Sequence, residues 1–219
     1  MVMFYFAISF GFKSAKNIDN TVCPYFIWLA SGIVQWQFVS DLLVGGASCF
    51  QRRRTIIRGM KYPLSTIPAI SVLSKFYIYL IMIGVLITLS LLMGVKPSVY
   101  WLQIPIYVAL TVMFLYIWVL MTALMNTLSA DIVEFIKTIK TAFFWLSGIL
   151  FNIRGRRSLF FALNPISYLA EGFRNCFAYH IWIWDEKKLL LCFALVNLFM
   201  LLISFLLYRR LEKKMPELI

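Results

Sequence analysis

Glu171 and Arg174 stand three residues apart, a spacing that puts an acid and a base on one helix face and lets them pair. Asp41 is a carboxylate inside an otherwise apolar run that also carries Gln35 and Gln37, and an ionisable group so placed faces protein or a cavity. Arg52, Arg53 and Arg54 form a basic triplet. Guanidinium groups bind phosphate bidentately, so the triplet could meet a diphosphate headgroup; plain attraction to anionic lipid explains it equally simply. His180 is the only histidine, which excludes a histidine-rich metal site or proton relay. The four cysteines, Cys23, Cys49, Cys176 and Cys192, form no CxxC pair, so neither a zinc site nor a disulfide framework is indicated. No G-x-x-x-x-G-K-[ST] pattern occurs, so any nucleotide hydrolysis must come from another chain.

The elements that hold these residues are set by the solvent. Of 219 residues, 62% are hydrophobic and 14% charged, with a mean hydropathy of +0.85. A soluble domain is nearer half apolar and a quarter charged. The apolar residues fall in long runs almost free of charge, and backbone groups in hydrocarbon can be satisfied only inside helices or closed barrels. An all-α integral membrane protein is expected. The formal net charge of +12 lies mainly between and after those runs, where topology and anionic lipid account for it, so nucleic acid is not expected as a partner.

Along the chain, Met1 to Phe12 rises only about 18 Å as a helix against a hydrocarbon core of about 30 Å. It reads as the end of a first span that begins before this chain. Further spans are expected at about 25–49, 67–93, 100–125, 135–153 and 189–208, with a tight turn at Gly94 to Ser98 and a polar turn at Asn126 to Glu134. The stretch 158–181 is apolar but is broken by Asn164-Pro165 and interrupted by Glu171 and Arg174. Parity decides how it is drawn. If it dips in and returns, the basic loop at Arg52 and the basic tail Arg209, Arg210, Lys213 and Lys214 share the cytoplasmic face. Arg154, Arg156 and Arg157 then fall outside, against the same tendency. Asn164 is placed to cap a helix with Pro165 at its first position.

Two motif sets carry a resemblance. The first is Ser31-Gly32-Ile33-Val34-Gln35-Trp36, then Gly46, Tyr62-Pro63, Ile67-Pro68 and Ser71-Val72-Leu73-Ser74. The second is Leu163-Asn164-Pro165-Ile166-Ser167-Tyr168-Leu169-Ala170-Glu171-Gly172-Phe173-Arg174. In this order and relative to the expected spans, they resemble the permeases of ABC-2 type polysaccharide exporters, a group that includes teichoic acid and O-antigen transporters. Gln35 and Gly148 stand where that family often has proline, and Ala130 precedes Asp131 where an arginine is common.

The resemblance implies a single transmembrane permease domain over 1–219, with about six spans (the first incomplete) and a re-entrant helical pair on the outer side. It implies a homodimer, separate ABC ATPase chains that bind ATP and Mg²⁺, a lipid-linked glycan as cargo, and a bacterial cytoplasmic membrane. Arg58, Lys61, Tyr62 and Pro63 would be an inner turn that docks into the ATPase, with Asp131 in a second contact. Asn164, Pro165, Glu171 and Arg174 would form an outer gate, and a simple interfacial ion pair predicts the same Glu171–Arg174 contact. Trp36, Gln35 and Asp41 are candidate channel residues, Trp36 because flat rings stack on sugar faces; packing between helices is the alternative for the ring. An exporter of a drug or small lipid keeps the same architecture. A membrane glycan or lipid transferase would need clustered acids, histidines or a metal motif near one face, and Asp41 is the only acid well inside a span.

Overall fold

A computed structural model describes residues 24–55, 65–129, 131–150, 152 and 163–211. The apolar stretch 1–12, the inner segment with Arg58, Lys61, Tyr62 and Pro63, the arginines 154, 156 and 157, and the lysines 213 and 214 lie outside the described residues. The described residues are helical and form no strand. They comprise α1 (Tyr25–Ala47), α2 (Thr66–Leu92), α3 (Ile104–Leu128), α4 (Asp131–Leu146), α5 (Pro165–Arg174) and α6 (Lys187–Leu211). A single turn, Cys49–Arg52, extends α1, a 3-10 turn Val99–Gln103 leads into α3, and a π-helical turn Asn175–Tyr179 extends α5.

Four of the described helical segments are long and apolar enough to cross a bilayer: Tyr25–Ala47, Thr66–Leu92, Val99–Leu128 and Ile183–Leu211. The chain is a multi-pass membrane protein. These segments coincide with four of the expected spans to within a few residues. The stretch expected as a span at 135–153 differs. Its helix, α4, has 16 residues and rises about 24 Å, short of a hydrocarbon core of about 30 Å. The polar turn expected at Asn126 to Glu134 is corrected as well. Helix α3 runs through Leu128 and α4 begins at Asp131. Ile132, Val133 and Ile136 supply an apolar face that packs on the core, and Asp131 and Glu134 favour a helix N-terminus.

The turn after α2 forms as its residues dictate. Gly94 takes φ +79°; its N–H donates to the Leu91 carbonyl and that of Val95 to the Ser90 carbonyl, the 6→1 and 5→2 pattern of a glycine-terminated helix. Helix α1 lies at the centre, packed against α2, α3, α4 and α5, and α6 packs against α3. A close approach draws α1 and α3 together at Gly46, where an added Cβ would lie 2.3 Å from Val119 Cγ2. Beside it, Trp118 Nε1 donates to the Leu43 carbonyl at 3.4 Å.

The faces turned away from this centre are apolar on α2 and α6, with Ile81, Val85, Phe199 and Leu206 exposed. That is the surface a helix presents to lipid.

Candidate functional site

Arg174 organises the site. It is a full-length arginine with no exposed surface, at the C-terminal end of α5. Its guanidinium pairs with Glu171 at 2.6 Å, one turn back. It also donates to the carbonyls of Gly148 (2.9 Å) and Ile149 (2.6 Å) and lies over the Trp28 ring at 3.6 Å from its centroid. A charge buried this deeply is tolerated only when paired and hydrogen-bonded, and all these partners act on the same delocalised cation.

Each partner is delivered by a local feature. Gly148 follows the end of α4 at φ +65°, a left-handed conformation that glycine adopts freely and the proline ring forbids. The turn it makes presents two successive carbonyls to Arg174. Glycine where relatives of the resembled family often carry proline therefore fits the backbone of this chain. On α1, Gly32 makes room for the guanidinium: a Cβ there would stand 2.7 Å from Arg174 Nη2. Asn164 caps α5 by accepting from the Ile166 N–H at 3.0 Å, and its amide donates to Ser147 Oγ at 2.9 Å. Pro165 occupies the first helical position.

Helix α5 and the turns that follow it are fastened along their length. Gly172 lies against Tyr107 of α3, where a Cβ would come within 2.1 Å of the ring. Beyond the π turn, His180 takes φ +53° and stacks on Tyr100 with centroids 5.1 Å apart. Trp28 Nε1 donates to Tyr179 Oη at 2.8 Å, and Asn175 donates to Glu186 at 3.0 Å. Gln103 donates to the Ile181 carbonyl and accepts from the Ile183 N–H, at 3.1 and 2.7 Å. Of the four residues expected as an outer gate, Asn164 and Pro165 start α5 and Glu171 and Arg174 pair at its other end.

No family profile matches the chain. Individual relatives do. The O-antigen export system permease protein RfbA of Myxococcus xanthus is 22% identical over 183 residues, covering 81% of this chain and 69% of that protein. Two proteins of the same name from Klebsiella pneumoniae are 24% and 23% identical over 172 residues, covering 77% of this chain and 66% of each. The chain is similar to proteins named as O-antigen export permeases. The matched stretch spans about two thirds of the length of these curated relatives.

The other sequence candidates lie on α1, just after it, and at the start of α4. Gln35 is fully buried between three helices: it accepts from the Tyr79 hydroxyl and donates to Thr111 Oγ1 at 2.7 Å. Trp36 is 9% exposed and packs against Phe144 of α4, centroids 5.3 Å apart. Asp41 pairs with Lys75 of α2 at 3.4 Å, both partly exposed. Gln35, Trp36 and Asp41 therefore stand on different sides of α1. Of the basic triplet, Arg53 donates to the Ile67 carbonyl (3.2 Å) and Ser71 Oγ (2.9 Å), whereas Arg52 and Arg54 are exposed. Asp131 is exposed at the start of α4 and accepts from Ser129 Oγ at 3.4 Å.

Sequence reasoning passed over Lys75, Trp28, Tyr79 and Thr111. A signal existed for Lys75, a lone lysine inside an apolar run. Trp28, Tyr79 and Thr111 carry none, because an aromatic or a threonine in a span is unremarkable until its partner is known.

Proposed function

We propose that this chain is the membrane-spanning subunit of an ATP-driven ABC exporter that moves a lipid-linked polysaccharide across the bacterial cytoplasmic membrane. One observation carries the reading. Three segments far apart in sequence, Ser31-Gly32, Ser147-Gly148-Ile149 and the Asn164 to Arg174 run, meet around a single buried guanidinium. The first and last of these belong to the two motif sets that carry the resemblance to polysaccharide-exporter permeases, and proteins named as O-antigen export permeases match over most of the chain.

In the full arrangement, about six spans place the α5 hairpin on the outer side as a re-entrant gate. Two copies enclose the pathway. Helix α4 supports that pairing: it presents Glu134, Lys137, Thr138 and Thr141 on its exposed side, a polar face unlike the lipid-compatible faces of α2 and α6 and suited to water or a second copy. On the inner side, Arg58, Lys61, Tyr62 and Pro63 dock a separate ATPase, with Asp131 in a second contact. Nucleotide binding there biases inward-closed against outward-open arrangements. Arg52, Arg53 and Arg54 lie near the inner headgroups.

The test is reconstitution of the permease with its ATPase in vesicles carrying a fluorescent lipid-linked glycan. ATP-dependent movement of the glycolipid, lost in an Arg58→Glu/Lys61→Glu variant that no longer co-purifies with the ATPase, is expected. A complex that hydrolyses ATP but moves a drug or a free lipid instead of the glycolipid overturns the cargo. Failure of the permease to bind any ABC ATPase overturns the whole reading.

A further inference from the structure

The pair Asp41–Lys75 has no role in the network around Arg174, and it is unusual for a span. The two side chains keep 35% and 44% of their surface, on the face of α1 and α2 that also exposes Ile78, Ile81 and Val85. Charges left open on a lipid-facing surface need water or a polar partner.

Depth decides which. From Lys75 to Leu92, the end of α2, the helix rises about 26 Å, and from Tyr25 to Asp41 about 24 Å. Tyr25, Tyr100, Trp101, Trp182 and Trp184 cluster at that far end of the bundle, as aromatic residues do at a membrane interface. With a hydrocarbon core of about 30 Å, the ion pair stands at the opposite headgroup boundary. A shallow surface groove runs there, lined by Gln37, Phe38, Asp41, Lys75, Tyr79 and Met82, with only about 10 Å³ of enclosed space. That is room for about one water, so a ligand can meet the pair only by lying across its open face.

We infer that the open face of this ion pair binds an inner-leaflet phospholipid with a phosphoethanolamine headgroup, its ammonium on Asp41 and its phosphate on Lys75. The headgroup carries both charges, a few ångströms apart. Charge-assisted hydrogen bonds to both ends are available only to a lipid with N–H donors and a phosphate. A purely anionic headgroup meets the Asp41 carboxylate, and a choline headgroup has no N–H to donate. Gln37 can donate or accept beside either end. The acyl chains then lie along Ile78, Ile81 and Val85. The site rests on the membrane placement and orientation proposed above, but not on the cargo or the ATPase.

The test uses the full chain, purified in detergent and stripped of lipid, with phosphatidylethanolamine, phosphatidylcholine and phosphatidylglycerol of identical acyl chains as probes. Binding is read by native mass spectrometry. Phosphatidylethanolamine is expected to bind on the order of tenfold more tightly than either competitor, and Asp41→Asn or Lys75→Gln to lower that affinity by a similar factor. Equal binding of the three lipids, no retained lipid, or undiminished binding in both variants overturns the inference. The competition in the unaltered protein stands by itself if a variant fails to fold. A failed lipid preference with intact ATP-driven export removes this site and leaves the proposed function standing; a retained preference without export does the reverse.

Discussion

Replacing Arg174 by methionine separates its roles most sharply. The change keeps an unbranched apolar stem and removes the ion pair to Glu171, both carbonyl contacts at Gly148 and Ile149, and the stacking on Trp28. Breaking one partner out of a buried ion pair typically destabilises by about 3–5 kcal/mol, because the other charge stays behind. Each carbonyl left without a donor adds roughly 1–3 kcal/mol. A loss of at least about 4 kcal/mol is therefore expected, enough to erase most of the stability of an ordinary domain. Glu171→Gln keeps an acceptor beside the guanidinium and should remove only about 1–2 kcal/mol. The double variant Glu171→Leu/Arg174→Met removes both charges, so it should fall between the two singles, with the two carbonyls still unmet. Thermal unfolding in detergent, followed by intrinsic tryptophan fluorescence, ranks the three. At about 2–4 °C per kcal/mol for a chain of this size, the singles should differ by several degrees. If Glu171→Gln is as damaging as Arg174→Met, the carbonyl contacts contribute little and the hub is only an ion pair. If Arg174→Met is tolerated, the hub as described is wrong.

Two further outcomes follow from the packing. Gly172→Ala drives a Cβ to within 2.1 Å of the Tyr107 ring, which cannot withdraw from its place in the core, so the variant should fail to accumulate in the membrane. Tyr107→Ala in the same chain should restore part of that yield; quantitative immunoblotting of membrane fractions checks both. The Cys176 thiol is fully buried, donates to the Gly172 carbonyl at 3.2 Å, and burial pushes it up to about 12. It should resist a small maleimide at pH 7 to 9 in the native state and react only after denaturation, whereas Cys192 is partly exposed. Peptide mapping after timed alkylation distinguishes them, and rapid native labelling of Cys176 would mean that this segment opens.

What was legible in the sequence was whatever depends on neighbours within a turn or two. Long uncharged runs set four helices, because a backbone in hydrocarbon must satisfy itself. Asn164-Pro165 marked a helix start and Gly94 a helix end, each through the chemistry of a single residue. The Glu171–Arg174 pair was visible from its spacing of three. What needed the tertiary structure was every contact between helices. Gly148 owes its importance to a left-handed turn that aims two carbonyls at an arginine 26 residues away. Gln35, a channel candidate in the sequence, is tied to Tyr79 and Thr111, which lie 44 and 76 residues along the chain. Local propensity contains no term for such distances. Helix α4 came out short and displaced toward its N-terminus because Ile132, Val133 and Ile136 pack on the core and Asp131 and Glu134 suit a helix start. The sequence decided that this chain is a helical membrane protein with a capped, charged helix at 165–174. Only packing decided that α5, α1 and the turn after α4 converge on one buried cation, since a desolvated charge is stable only where several partners are brought together at once.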